Sequence, residues 1–255
     1  MSTLKNFIFI TGTGRSGTHL IGRTISSHPT IQGRIEDNYT FPLFTRIATT
    51  QDFNNFFLNF ILKRILIYRL KKVSKNHVSK ILEKSHPSLW LVEDLLKSFP
   101  NSQFIGVYRD VEPTVNSMLN HRDVLNWYKK LPQDKPNRFL GITEENKKQF
   151  KNFSLEKKCA LRWLSHIYRL KEVQLKYPDR ILAVDYDDFI DNSDVWLKKI
   201  SEFLQIENNF YPEKFNIASK DKWRNNLSKE QLEEIYKVKR DYNKIKMEVK
   251  HTIER

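Results

Sequence analysis

The sequence predicts an α/β protein: a three-layer parallel sheet with a phosphate-binding loop close to the N-terminus. Three observations carry that prediction. Short apolar runs alternate with helical stretches along the chain, as strands alternate with covering helices in parallel sheets. The first apolar run ends in a glycine-rich turn that opens a helix. The 255 residues, 39% hydrophobic, are enough to bury one full core, so a single domain over residues 1–255 is expected.

Each element has its own signal. Phe7 to Thr11 reads as a buried strand, Gly12 to Gly17 as a turn, and Thr18 to Ser27 as a helix that Pro29 stops. In Phe53 to Leu70, apolar residues such as Phe56, Phe57, Phe60, Ile61 and Ile65 crowd most faces of a helix. Asn59, Lys63, Arg64 and Arg69 interrupt it, which argues against a membrane-spanning segment. Two readings remain for it: a helix packed over the sheet, or one that meets a membrane interface or the acceptor. Lys80 to Glu83 reads as a second parallel strand, Leu89 to Ser98 as a helix ended before Pro100, and Gln103 to Tyr108 as a further strand. Glu112 to Asn120 follows as helix. Arg122 to Asn152 is polar, contains Pro132 and Pro136, and is expected to be a long excursion over the active-site face. Leu155 to Lys176 is a long helix and Arg180 to Asp185 a strand. Asp194 to Leu204 is a helix with Asp191, Asn192 and Ser193 as candidate caps. A charged helix from Ser228 to about Lys250 opens with a capping box, Ser228 to Gln231.

The formal charge is +14, from 44 Lys and Arg against 30 Asp and Glu, so the surface attracts anions: nucleotide, sulfated glycan, nucleic acid or membrane headgroup. The single cysteine, Cys159, excludes an intrachain disulfide and a cysteine-rich metal site, and it suits a reducing, cytoplasmic setting. Phe7 to Ile10 is too short for the core of a signal peptide, so a leaderless chain is expected. The histidines are scattered, and no spacing among them suggests a metal.

Gly12-Thr13-Gly14-Arg15-Ser16-Gly17-Thr18-His19 stands where a strand turns into a helix, so successive N–H groups and the helix N-terminus converge on one anion. The spacing is that of a Walker A loop, but the positions of its lysine and its magnesium-binding hydroxyl hold Thr18 and His19. That departure argues against Mg-ATP chemistry. A loop with a cation at Arg15 and the hydroxyls of Ser16 and Thr18 suits a metal-free phosphosulfate instead.

Thr13-Gly14-Arg15-Ser16-Gly17-Thr18 resembles the 5'-phosphosulfate loop of sulfotransferases, P-[KR]-S-G-T-T, with Gly14 for the proline and His19 for the second threonine. A second block agrees. The apolar run Phe104 to Tyr108 ends in Arg109, and Ser117 follows eight positions later; this pair resembles the Arg and Ser that bind the 3'-phosphate in that family. An arginine fork at a strand end and a hydroxyl on the next helix grip a phosphate from two sides. ATP has no 3'-phosphate.

The resemblance covers roughly residues 5 to 230, except Arg122 to Asn152. Within it, Glu83-Lys84-Ser85-His86-Pro87 and the Tyr186-Asp187-Asp188 block look similar to family counterparts. So does Lys222-Trp223-Arg224-Asn225-Asn226, which resembles the nucleotide-closing loop. There the basic residues before the tryptophan depart from the usual distance. Lys220 and Lys222 stand in their region, and Trp223 is either a nucleotide contact or core. Tyr186 is likewise a nucleotide contact or strand-end packing.

The resemblance implies the donor 3'-phosphoadenosine 5'-phosphosulfate, the product adenosine 3',5'-bisphosphate, a hydroxyl-bearing acceptor, no metal and no nucleic-acid partner. It implies nucleotide contacts from Gly14, Arg15, Ser16, Gly17, Thr18, His19, Arg109, Ser117, Tyr186, Lys222 and Trp223. In-line sulfuryl transfer needs cations at the leaving oxygen, for which Arg15 and Lys84 are the candidates, and a base at the acceptor hydroxyl. Glu36 lies twenty-one positions after Arg15, a spacing similar to that of tyrosylprotein sulfotransferases. His86 sits in a Lys-x-His pattern similar to cytosolic sulfotransferases, and imidazole suits proton transfer near neutrality. Both stay open as the base. The competing functions are a P-loop kinase using ATP and a non-catalytic binder of nucleic acid or anionic glycan.

Overall fold

The computed structural model describes residues 6–53, 55–74, 80–211 and 220–253, with side chains to residue 242. The strands are β1 (Asn6–Gly12), β2 (Ile31–Ile35), β3 (Lys80–Lys84), β4 (Gln103–Tyr108) and β5 (Ile181–Asp185). The helices run α1 (Thr18–Ser26), α2 (Phe41–Thr50), α3 (Phe56–Ser74), α4 (Val92–Ser98), α5 (Val111–Leu119), α6 (Arg122–Lys130), α7 (Lys147–Phe150), α8 (Leu155–Lys176), α9 (Tyr186–Asp191), α10 (Ser193–Leu204), α11 (Trp223–Asn226) and α12 (Lys229–Ile253). Two 3-10 helices, His86–Leu91 and Arg138–Leu140, complete the described elements. The chain forms two compact units, Met1–Arg109 with Ile167–Ile217 and Asp110–His166 with Ala218–Arg255.

The first unit holds an all-parallel sheet in the order β2-β3-β1-β4-β5, the α/β architecture expected. β1 is central and buried on both faces, which its continuous Phe7-Ile8-Phe9-Ile10 run requires. On one face Phe7 and Phe9 meet Phe99, Phe104 and Phe44, at centroid distances of 4.8, 5.0 and 6.5 Å. On the other, Ile8 and Ile10 pack with Ile21 and Ile25 of α1 and with Leu197, Ile200 and Leu204 of α10. Parallel register sets Ile10, Lys84 and Ile35 side by side, so β2 and β3 end at one level, β1 runs two residues further to Gly12, and the residues that follow all three share one edge.

Two elements of this unit were not anticipated. β2 carries Gln32, Gly33 and Arg34 in its middle and is an edge strand, so only Ile31 needs to be buried and no apolar run marks it. α2 opens with Pro42 in its first turn and buries Phe44, Ile47 and Ala48. The stretch expected as a helix from Leu89 begins as the 3-10 helix at His86 and becomes α-helical only at Val92.

In the second unit, Arg122 to Asn152 is no bare excursion. It contains α6, a 3-10 helix and α7, and it buries Val124, Tyr128, Phe139, Leu140, Ile142 and Phe150. Its polar residues hid a sparse apolar set that is enough for short elements. The fully buried Arg162 lies between the rings of Trp127 and Phe139, at 5.1 and 4.8 Å. The capping box at α12 is as expected: the Ser228 N–H donates to Gln231 Oε1 (3.0 Å), and the Gln231 N–H to Ser228 Oγ (3.3 Å).

Candidate active site

The loop between β1 and α1 is shaped by close neighbours. Gly12 has φ 122, and a Cβ there would fall 2.1 Å from the Val107 carbonyl oxygen. Gly17 has φ 85, and its Cβ would fall 1.8 Å from the Tyr186 ring. Between them Arg15, at the exposed loop tip, takes φ 76, a left-handed conformation that costs a non-glycine residue free energy. The loop is tied to β4 by the Thr13 N–H donating to Val107 O (3.2 Å), and it is closed by the Ser16 N–H donating to Thr13 O (3.3 Å). Thr13 and Ser16 are fully buried. Thr13 Oγ1 has no hydrogen-bond partner among the described residues, as expected of a cradle built around an oxyanion. The leading N–H groups of α1 have no carbonyl partner within the helix and carry its positive dipole end, so the loop fits a phosphate.

Glu36 follows β2 directly and is the second strained residue, with φ 47. Its N–H donates to Lys84 O (2.9 Å), fixing it to the end of β3. Its Oε1 accepts a hydrogen bond from Lys84 Nζ and lies 3.1 Å from His19 Nε2 and 3.7 Å from His86 Nδ1. Burial opposes the charge on this carboxylate. The hydrogen bond from His19, the nearby His86 ring and the Lys84 charge outweigh it and hold Glu36 well below the usual carboxylate range. Lys84, almost wholly buried, is pushed down to about 8 by desolvation, against the attraction of Glu36. Arg15 and Arg23 are near enough for their charges to push it the same way. The His86 ring abuts Gly14, since a Cβ there would meet Nε2 at 2.9 Å.

A second carboxylate supports the first. Side chains alternate along β3, so Glu83 faces away from Lys84 and is completely buried. Its Oε1 accepts hydrogen bonds from Thr40 (3.0 Å) and Ser85 (2.7 Å), and its Oε2 lies 3.4 Å from Arg34 Nε. Arg34 also pairs with Asp37, whose Oδ1 accepts the Tyr39 N–H (2.9 Å). The turn that carries Glu36 is thus clamped on both sides. Burial raises Glu83 to about 7 despite those partners.

Arg109 follows β4. Its Nε lies 3.0 Å and its Nη2 2.9 Å from Asp187 Oδ1, and its guanidinium stacks 4.8 Å over the Tyr186 ring. Tyr186 opens α9 rather than ending a strand, and its ring fills the space beside Gly17 and Arg109. In the first unit, therefore, Gly14, Arg15, Ser16, Gly17, Thr18, His19, Glu36, Lys84, His86, Arg109 and Tyr186 all stand at the carboxyl ends of β1 to β5, where α/β sheets bind ligands. Ser117, half-buried on α5, and Lys222 and Trp223 at the start of α11 belong to the second unit. Trp223 is partly buried, with Arg224 stacked on it at 4.6 Å.

Sequence reasoning missed Glu83, Arg34 and Thr40 as the support of Glu36, and Asp187 as the partner of Arg109. A charged residue inside the apolar Ile81-Leu82 strand was the one available signal for Glu83. Among the described residues no group of three or more His, Cys, Asp or Glu side chains is gathered to hold a metal. What the edge offers is cations beside a strained anion loop, and a carboxylate within reach of them.

A family model described as "Sulfotransferase family" matches residues 7–210. No curated protein matches the chain. Among solved structures, the sulfotransferase domain from the curacin biosynthetic pathway is similar at 14% identity and TM-score 0.56, over 93% of this chain and 99% of that one. The sulfotransferase domain of the Synechococcus PCC 7002 olefin synthase has 14% identity and TM-score 0.54, over 91% and 94%. Mouse sulfotransferase SULT7A1 complexed with PAP has 15% identity and TM-score 0.50, over 93% and 84%.

Proposed function

The chain belongs to the sulfotransferase family, and from that premise we propose that it transfers a sulfuryl group from 3'-phosphoadenosine 5'-phosphosulfate to an acceptor hydroxyl by in-line displacement. The observation that carries this reading is the gathering of Arg15 and Glu36, the two strained catalytic candidates, with Lys84, which is bonded to Glu36 and feels both of their charges, at one sheet edge. Strain of this kind persists where the surroundings over-determine it, and it clusters at working sites.

In this reading the loop N–H groups with Ser16, Thr18 and Gly14 hold the 5'-phosphosulfate. Arg109, oriented by Asp187, takes the 3'-phosphate. Ser117, Tyr186, Lys222 and Trp223 keep the donor-binding roles that the resemblance gives them. The mouse relative of the same fold is complexed with PAP, the product such a donor leaves. Arg15 and Lys84 neutralise charge on the leaving phosphate oxygen as its bond to sulfur breaks and the bond from sulfur to the acceptor oxygen forms. Lys84 Nζ leaves Glu36 Oε1 for that oxygen. Glu36, relieved of the Lys84 charge, becomes a stronger base toward the acceptor proton, and His19 and His86 keep it aimed. His19 occupies the position where a kinase loop holds its magnesium hydroxyl, and its contact to Glu36 supports the sulfuryl reading over ATP chemistry. A cytoplasmic setting is part of the proposal.

The test is transfer of labelled sulfate from this donor to a panel of glycan, lipid, phenol and tyrosyl-peptide hydroxyls, with chelator present. Transfer to at least one class, undiminished by chelator, is expected. Activity that a chelator abolishes and magnesium restores contradicts the assignment of Arg15 and Lys84.

A further inference from the structure

We propose that the outer face of α3 is a docking surface for an anionic lipid bilayer, a property independent of which acceptor the enzyme uses. α3 buries one stripe, Asn59, Leu62, Leu66 and Leu70, and Asn59 is locked to Thr50 of α2 by hydrogen bonds of 3.1 and 3.3 Å. The opposite stripe is apolar where solvent-facing stripes are normally polar. Phe56 is 85%, Phe57 74%, Tyr68 67% and Phe60 48% exposed, and Ile61 and Ile65 are exposed beside them. These are six of the eleven exposed large hydrophobic side chains among the described residues, so the apolar surface is concentrated on one helix rather than scattered.

The charges around this stripe select the occupant. Residues 53–74 contain Lys63, Arg64, Arg69, Lys71 and Lys72 and no Asp or Glu. Lys63 pairs with Asp94 (2.7 Å), and Arg69 is held against the Tyr39 ring at 4.5 Å. Arg64 lies beside the apolar stripe, 5.5 Å from the Phe60 ring, and Lys71 and Lys72 are exposed at the C-terminal end. A second copy of this face would set like charges against like. An anionic membrane surface complements it: the aromatic rings enter the boundary between headgroups and acyl chains, and each cation near the surface adds electrostatic attraction. No described helix is long and apolar enough to cross a membrane, so α3 lies on the bilayer rather than through it. Because its inner stripe is already packed, the helix docks without refolding.

The experiment is co-sedimentation of the full chain with extruded phosphatidylcholine vesicles, with and without phosphatidylglycerol, across a salt series. Expected are binding at least about tenfold tighter to the anionic vesicles, weakening with salt, and a loss of about tenfold or more in a Phe56→Ser, Phe57→Ser, Phe60→Ser variant. That variant should keep its melting temperature and its stabilisation by adenosine 3',5'-bisphosphate. If it fails to fold, Phe57→Ser alone serves, with a smaller loss expected. Lys71→Glu with Lys72→Glu should weaken binding to anionic vesicles only. No binding by the wild type overturns the proposal. Undiminished binding of the aromatic variants also overturns it, since net charge alone would then suffice. A dimer of the wild type that the aromatic variants dissolve overturns it in favour of self-association.

Discussion

At the scale of single residues, the site is governed by how many charges share one carboxylate. Glu36 has two possible duties, to take the acceptor proton and to keep the buried Lys84 protonated, and pH separates them. Glu36→Gln is expected to lower turnover by about 10² to 10⁴, with donor affinity kept, and His86→Asn to have a much smaller effect. Without Glu36 the Lys84 amine titrates below about 8, because burial is then opposed by less attraction. If Glu36 is the base, the loss persists as the pH is lowered to a point where the Lys84 amine is charged in both proteins. Recovery of turnover at that pH assigns Glu36 to the lysine rather than to the proton.

Glu83 makes a different prediction, with its own sign. Its carboxyl titrates near 7 in the fold against 4.5 as the ordinary value, so between those values the folded state holds more protons than the unfolded chain. Stability therefore falls as pH rises through that window, by an amount on the order of 3 kcal/mol. Glu83→Gln removes the titration, so the unfolding free energy of the wild type minus that of the variant should fall between about pH 5 and about pH 8. A difference that is flat with pH contradicts a buried, raised carboxyl. Turnover of the variant should fall as well, since Glu83 positions the Glu36 turn through Thr40 and Arg34.

At the scale of elements, the strand-loop-helix at the N-terminus carries the most information, because its glycines answer to contacts. Gly17→Ala places a Cβ in the Tyr186 ring at a left-handed φ, at a cost on the order of 1–3 kcal/mol. It should lower the melting temperature and abolish stabilisation by adenosine 3',5'-bisphosphate. Gly14→Ala meets only the His86 side chain, which can turn, so it should retain most of that stabilisation. Equal effects in a thermal melt of the two variants would contradict this view of the loop.

The same element was fully legible in the sequence, since a buried strand must be apolar throughout and a phosphate cradle must be small and flexible. β2 was not, because an edge strand with one buried residue has no periodicity to betray it. The position of Glu36 at its end was therefore reached only through family spacing. The contacts of Glu36 with His19 and His86 join residues far apart in the chain, and no local pattern encodes them. Arg109 was readable as a strand-end cation, whereas its tie to Asp187 depends on β5 lying beside β4.

At the scale of the whole molecule, the +14 charge favours every anion, so selectivity has to come from placed groups. Arg109→Ala should weaken adenosine 3',5'-bisphosphate by roughly ten- to a hundredfold and adenosine 5'-phosphosulfate, which lacks the 3'-phosphate, far less. Calorimetry on both ligands checks this, and equal losses would remove Arg109 from the 3'-phosphate.

The central claim, a nucleotide site built for the sulfate donor rather than for ATP or nucleic acid, is tested most directly by ligand-dependent thermal unfolding of the wild-type chain. Adenosine 3',5'-bisphosphate at about a hundred times its dissociation constant should add about 2.7 kcal/mol and raise the melting temperature by several degrees. ATP with magnesium should add little, and an oligonucleotide should act only at low salt. Stabilisation by ATP with magnesium equal to or greater than that by adenosine 3',5'-bisphosphate would contradict the account.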